Sequence, residues 1–574
     1  MGIDGFAQPN AERATWGGRL RLGRLGALAV GIAWLAVWFC GLADRALGEP
    51  DEGRYAEVAR EMLVSHDWIT PQLNGFNFFD KPPLHYWATA SAYMAFGVNP
   101  WSARLWCALT GLLAMAAMGW AGARLFGREA GGYAMAILGS SLLFAMGSHI
   151  NTLDMGVAAF LTVGIACFLV AQFDPTAAPY RVWLNLLMWF ALALAVLSKG
   201  LIGVVLPGMA LVVYMVWQRD WSVLRRLSLL TGSVVLLVTC APWFIVICHR
   251  HPDFFDYFFI KEHFTRFLTT VDRRDKPWWF FLPVVILGLF PWAVFLPWNR
   301  SDWRRIDASE PAQRFLLVWV GVVFAFFSAS HSKLPLYILP VFPTAALLLA
   351  HLITVMPHDV LKRRLWILSA LTMMCACSAL IVAASKHIHS SDDVLRHALR
   401  GVFWPLAFIA LVAAVGASLL HENHRRLSIY VLALATLAGW QLTLRSFLQY
   451  TDMSSAQPVA SLIEPELGPQ TKVYLVQHYL RGLPFYLGRL VIVVDHQDDD
   501  MTPELASRPE GYIPDMATFE ATWRASNDAV ALIPDRELAQ LHADNMPFRV
   551  VGHVQQSTVI ARSGSIPNPV LPTG

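Results

Sequence analysis

Carboxylates and lysines in this chain occur as short groups set against apolar runs. Asp51-Glu52-Gly53-Arg54-Tyr55 follows one run directly, and Glu57, Arg60 and Glu61 continue it on a predicted short helix. An acidic pair suits a helix N-terminus, where the dipole and open N–H groups favour negative charge. It equally suits a general base, or an anchor for a cationic or hydroxyl-rich substrate. Such carboxylates are costly beside a membrane unless paired or used. Asp80-Lys81-Pro82-Pro83 comes next. The prolines stiffen the entry to a following helix, and Lys81 offers a point charge to a phosphate, of bulk lipid or of a departing lipid carrier. Asp154 opens a further run after Asn151-Thr152, as a helix-cap neighbour or as a functional acid. Lys199, with only Ser198 and Gly200 around it, has almost no loop to escape into. It either snorkels to the surface or binds phosphate.

A second polar group fills the loop 249–277: Phe254-Phe255-Asp256-Tyr257-Phe258-Phe259, then Lys261-Glu262-His263 and Arg266, followed by Arg273, Arg274 and Lys276. Its aromatic residues suit an interfacial belt, and its basic ones suit an acidic lipid headgroup. Glu262, His263 and Asp80 form a possible metal set whose spacing is not diagnostic. Ser332-Lys333-Leu334-Pro335-Leu336-Tyr337 begins another run. No P-loop, G-x-S-x-G, H-E-x-x-H or dinucleotide fingerprint occurs in the context each requires.

The elements that must position these groups are membrane spans. Of 574 residues, 56% are hydrophobic and 15% charged, against about 45–50% and 25% in soluble proteins. Net charge is only +3, which argues against nucleic acid as the main partner. The seven cysteines all lie in or beside apolar runs, so no disulfide framework is implied. Runs long enough to cross the ~30 Å hydrocarbon core lie near 25–43, 102–122, 130–147, 153–173, 182–198, 201–217, 227–248, 278–298, 313–330, 334–356, 365–386, 401–420 and 427–449, thirteen in all. The first exceeds a signal-peptide core and reads as an uncleaved anchor. With a cytoplasmic N-terminus, the even-numbered connections carry the arginine clusters from Arg124 to Arg426, as the positive-inside rule requires. Counting Pro83–Val98 as a span would reverse every later cluster, so it reads as an interfacial or re-entrant helix.

This topology gathers the polar groups on the outer face. The transmembrane domain is expected over 1–449, with outer loops 44–101 and 249–277 forming the site, and an outer α/β domain over 450–574. In that domain Val473–Gln477, Val491–Asp495, Val530–Ile533, Phe548–Val551 and Thr558–Arg562 read as strands. Tyr479–Leu487, Met516–Ser526 and Arg536–Ala543 read as helices.

Several of these motifs carry a resemblance. Asp51-Glu52-x-Arg54-Tyr55-Ala56-Glu57, Tyr257-Phe258-Phe259-x-x-Glu262-His263-x-x-Arg266-Phe267 and Lys333-Leu334-Pro335-x-Tyr337 are similar to segments of the lipid A aminoarabinose transferases. Those enzymes belong with the protein O-mannosyltransferase-like, GT-C glycosyltransferases. The resemblance covers about 1–345 and extends weakly to Leu483-Pro484-Phe485-Tyr486-Leu487-Gly488; where this chain has Asp80, family members often carry glutamate. It implies a GT-C fold of about thirteen helices with a periplasmic α/β domain, in the bacterial inner membrane. The implied reaction moves 4-amino-4-deoxy-L-arabinose from undecaprenyl phosphate to lipid A phosphate. Asp51, Glu52 and Asp154 then stand as catalytic candidates. Arg54, Tyr55, Asp80, Lys81, Lys199, Glu262, His263, Arg266, Lys333 and Tyr337 stand as substrate-binding candidates. No cofactor is required, and a divalent metal remains open. The rivals are a related transferase placing another polyprenyl-linked sugar on protein or glycan, a lipid-linked-sugar flippase, and a sensor or assembly protein.

Overall fold

In lipid a chain must satisfy its backbone polar groups within itself, so long apolar runs become helices. The computed structural model describes residues 26, 28–265, 276–307, 310–385, 393–419, 425–447, 454–496 and 509–562. The first helix among the described residues, α1 (Leu28–Phe39), is short and apolar. Two helices follow outside the spans, α2 (Asp51–Ser65) and α3 (Leu84–Phe96). Then come α4 (Pro100–Leu125), the pair α5 (Arg128–Ser140) and α6 (Leu142–Ser148), α7 (Leu153–Phe173), α8 (Arg181–Lys199) and α9 (Ile202–Gln218). Five more long helices follow, Leu229–Arg250, Pro311–Ala329, His358–Ala384, Asp393–Ser418 and Arg425–Ser446.

Among the described residues eight helices are long and apolar enough to cross a membrane, or nine if α5 and α6, bent by 70°, count as one span. The chain is a multi-pass membrane protein. Each of the thirteen expected spans coincides with a helix or a broken pair of helices. The eighth is broken, with Phe281–Gly288 followed by a 3-10 turn at Trp292–Phe295; Pro291, between them, cannot donate the backbone bond that would continue a helix. Leu230, Val238, Ile245 and Ile381 are exposed on the outside of the bundle, where lipid covers them. Helix α3 has 13 residues, about 20 Å at 1.5 Å per residue, too short to span.

Between α2 and α3 the chain makes a hairpin, β1 (Gln72–Leu73) and β2 (Phe76–Asn77). Its two-residue turn is Asn74-Gly75, both with positive φ, as such a turn demands. Asn74 exchanges two 2.9 Å hydrogen bonds with the backbone of Val491, and so ties the hairpin to the C-terminal sheet.

That sheet holds β3 (Lys472–Val476), β4 (Ile492–Val494), β5 (Tyr512–Ile513), β6 (Ala529–Pro534), β7 (Arg549–Val554) and β8 (Ser557–Ala561), in the order β5-β4-β3-β6-β8-β7. The first four are parallel to one another; β8 pairs antiparallel with both β6 and β7. Successive side chains of a strand point to opposite faces. Val473 and Leu475 pack with Tyr55, Val58 and Met62 of α2, while Tyr474 and Val476 pack with Phe519 and Trp523. One face of the sheet therefore rests on α2. Five expected strands are present, β5 is an addition, and the helix expected over Tyr479–Leu487 is shorter, at Leu483–Leu487.

Candidate active site

A cavity of about 290 Å³ collects residues from six segments. Helix α2 supplies Asp51, Arg54 and Tyr55, the loop before α3 supplies Asp80 and Lys81, and α7 supplies Asp154. Lys199 ends α8, and Tyr337 lies on the 3-10 turn Pro335–Ile338. Leu143, Met146 and Ile150 close it from the segment of α6, beside Thr152. Eight of the expected residues thus meet in one cavity.

The charges are arranged in pairs. Lys81 Nζ donates to Asp80 Oδ1 at 2.8 Å and to Glu262 Oε2 at 2.9 Å. Glu262 comes from the π-helical segment Asp256–Thr265, so this ion pair bridges the loops 44–101 and 249–277. Lys199 Nζ pairs with Asp154, and lies 4.1 Å from the centre of the Tyr337 ring. Thr152 caps α7 by accepting the Asp154 N–H. Arg54 is buried and sits over the Phe78 ring at 5.8 Å. Asp51, at the first position of α2, is exposed.

Glu52 is placed differently from the expectation. It is 5% exposed and turned away from the cavity. Its Oε1 accepts from Arg104 Nε at 2.7 Å and the Asn151 N–H at 2.9 Å. Its Oε2 accepts from Arg104 at 3.0 Å and the Gly48 N–H at 3.0 Å. Burial works to raise its pKa, but the Arg104 charge and these hydrogen bonds outweigh burial and hold it down at about 2. A carboxylate whose lone pairs are spent in this way is a structural clamp. The reason is angular: consecutive residues of a helix point about 100° apart, so when Asp51 faces the cavity Glu52 faces the core.

Lys333 also departs from its expected role. It is buried at 4% exposure, does not line the cavity, and donates to the Ser330 carbonyl. The His263 side chain and Arg266, Arg273 and Arg274 lie outside the described residues. Among the described residues no three His, Cys, Asp or Glu side chains group so as to hold a metal; of the set Glu262, His263 and Asp80, the two carboxylates both accept from Lys81.

Three positioning residues carry no sequence motif. Arg104, fully buried on α4, also donates to the carbonyls of Leu42, Arg45 and Ala46 at 2.8–2.9 Å. A charge inside an apolar span is itself a signal, and Arg104 shows it. Asn151 joins Glu52 to His85 Nε2, 2.8 Å from its Oδ1. Glu49, one residue before Pro50, accepts the N–H groups of Gly482 at 2.6 Å and Arg481 at 3.1 Å.

Comparison with known proteins follows the same division of the chain. Residues 45–304 match the dolichyl-phosphate-mannose-protein mannosyltransferase family, and residues 459–562 match the aminoarabinose transferase C-terminal domain. The undecaprenyl phosphate-alpha-4-amino-4-deoxy-L-arabinose arabinosyl transferase of Erwinia tasmaniensis is 31% identical over 427 residues, 72% of this chain and 76% of that protein. Arabinosyl transferase 1 of Proteus mirabilis is 35% identical over 56% of this chain, and that match spans 58% of the Proteus protein. The crystal structure of ArnT from Cupriavidus metallidurans bound to undecaprenyl phosphate superposes with a TM-score of 0.88 at 32% identity, over 95% of this chain and 99% of that one. Identity above 30% along most of a relative's length, on the same fold, has a plain consequence: the chain belongs to the undecaprenyl phosphate-aminoarabinose arabinosyl transferase family.

Proposed function

We propose that this protein transfers 4-amino-4-deoxy-L-arabinose from undecaprenyl phosphate to a phosphate of lipid A, at the periplasmic face of the bacterial inner membrane. The N-terminus and the arginine-rich connections then lie in the cytoplasm, and the region from about 450 onward forms the periplasmic domain. The observation that carries this reading is the charge balance of the cavity. Its lining holds three carboxylates, Asp51, Asp80 and Asp154, and three cations, Arg54, Lys81 and Lys199. A neutral sugar on a lipid phosphate presents one negative charge and calls for surplus cations. An amino sugar on a lipid phosphate is a zwitterion, and needs both signs within the length of one sugar.

The reaction is a single displacement. An oxygen of the acceptor phosphate attacks the anomeric carbon, and the bond from that carbon to the polyprenyl phosphate breaks with its electron pair on the departing phosphate. Lys81 and Lys199 stabilise the charge gathering there by fixed, preorganised contact, and Arg266 is assigned to the accepting phosphate. A phosphate acceptor is already ionised and needs no base, so Asp51 and Asp154 orient the sugar and pair with its ammonium. Were the acceptor a hydroxyl, Asp51 would be the base. Glu262 fixes Lys81 from the second outer loop.

The test compares two undecaprenyl phosphate donors with purified protein, one carrying aminoarabinose and one carrying arabinose without the amine. A hydrogen bond to a charged group contributes about 1.5–3 kcal/mol, so losing those of the ammonium is expected to lower kcat/KM by at least about tenfold for the donor without the amine. Equal rates with the two donors would contradict the pairing of Asp51 and Asp154 with the amine.

A further inference from the structure

A second cavity, of about 320 Å³, lies between Glu49-Pro50, just ahead of α2, and the C-terminal sheet. It opens at the carboxyl ends of β3 and β6, where the parallel order turns: β4 and β5 lie on one side of β3, and β6 on the other. The segment after β3 packs Leu483 on one face of the sheet, while the helix after β6 packs Leu541 on the opposite face. Connections that leave in opposite directions open a crevice between two strand ends, and ligands of open parallel sheets bind in such crevices.

His478 and Arg481 follow β3 into this crevice, Gln555 and Ser557 enter from the β7–β8 hairpin, and Glu49 reaches in from the loop ahead of Asp51. Arg481 suits a phosphate through charge-assisted hydrogen bonds. Burial, with the nearby His496 and Arg481, lowers the His478 pKa, so this side chain offers a neutral imidazole, and the Ser557 hydroxyl and Gln555 amide suit the hydroxyls and amines of a sugar. Pro50 lines this cavity and the next residue, Asp51, lines the catalytic one. A Cβ on Gly53 would stand 2.7 Å from Gly482 Cα, so the first turn of α2 lies against the crevice while presenting Asp51 to the other cavity.

We propose that the crevice binds the phosphorylated amino-sugar head of the acceptor glycolipid, at a subsite separate from the donor's; the inference rests on the transferase reading above. A donor's phosphate is bonded directly to the reacting carbon and belongs with Lys81 and Lys199. The acceptor is a disaccharide bearing phosphates at both ends, and can present one phosphate to that carbon while the rest anchors here.

The experiment titrates donor and lipid A separately against purified full-length wild type, Arg481→Ala and Ser557→Leu, the last filling the crevice. Loss of a charged hydrogen bond or of the space is expected to raise the acceptor KM about tenfold in each variant, with kcat and the donor KM within about twofold of wild type. An unchanged acceptor KM in both variants overturns the assignment, and an equal rise in the donor KM reassigns the cavity to the donor and overturns it too. Absence of transfer to lipid A by the wild type would contradict the transferase reading instead. Calorimetric titration with glucosamine 1-phosphate then decides the crevice: weaker binding to S557L than to wild type supports it, and indistinguishable titrations overturn it.

Discussion

Asp51 and Lys81 contribute through charge held in place, so their removal is expected to cost rate rather than fold. Asp51→Asn and Lys81→Ala should each lower transfer about 10²–10³-fold. The melting temperature of Asp51→Asn should stay close to wild type, since an exposed charge contributes about 0.5 kcal/mol or less. Turnover assays and thermal melts on the two purified variants check this, and normal turnover in either returns that residue to a surface role. At this scale the sequence is informative where a charge stands at the end of an apolar run. Asp51, Asp154 and Lys199 reach the cavity from the first or last turn of a helix, and Asp80 and Lys81 from the loop before α3. Glu52 and Lys333 obey the same pattern yet turn inward, since which side of a helix meets the core is decided by packing from elsewhere in the chain.

The elements are fixed to one another by two carboxylates of opposite behaviour, the buried Glu52 and the half-buried Glu49. Glu52 and Arg104 join the loop before α2 to α4 and to Asn151. Glu52→Gln leaves Arg104 buried without its countercharge, and breaking such a pair costs about 3–5 kcal/mol. A large fall in melting temperature and folded yield is therefore expected, unlike for the neighbouring Asp51→Asn, and unchanged melting would contradict the clamp. Glu49 joins α2 to the C-terminal domain. Burial pushes its pKa up to about 7, more strongly than the Gly482 N–H and the Arg481 charge lower it. Its folded pKa lies above its unfolded one, so its contribution is complete below the ordinary carboxylate range and is lost as pH rises through about 7. Wild type should lose more thermal stability than Glu49→Gln between about pH 5 and pH 8, as read by paired melts. Equal losses would show that Glu49 does not titrate in the interface. Neither clamp is legible in the sequence as a pair, because 52 positions separate Glu52 from Arg104, and about 430 separate Glu49 from its partners. Strand β5, with two residues, is too short for any periodic signal.

For the whole molecule the pattern of charge decides orientation. Reporters fused after Arg128, Arg226, Arg305 and Arg364 are expected to report cytoplasm, and fusions after Gly75, Asp275 and Gly488 the outside, because basic residues stay on the cytoplasmic side. An inside signal at Gly75 would place the catalytic cavity on the wrong face. The span pattern and the α/β character of the tail are readable from hydropathy and strand alternation, since lipid and a sheet core each impose their own period. The docking of that sheet on α2, and the crevice it encloses, depend on surfaces brought together only by folding. Transfer to a lipid phosphate is tested most directly by offering purified protein and undecaprenyl phosphate-aminoarabinose three acceptors: intact lipid A, dephosphorylated lipid A, and a serine-containing peptide. Mass spectrometry should show one aminopentose added to intact lipid A alone. Addition to the dephosphorylated lipid or to the peptide at a matching rate would contradict phosphate-directed transfer.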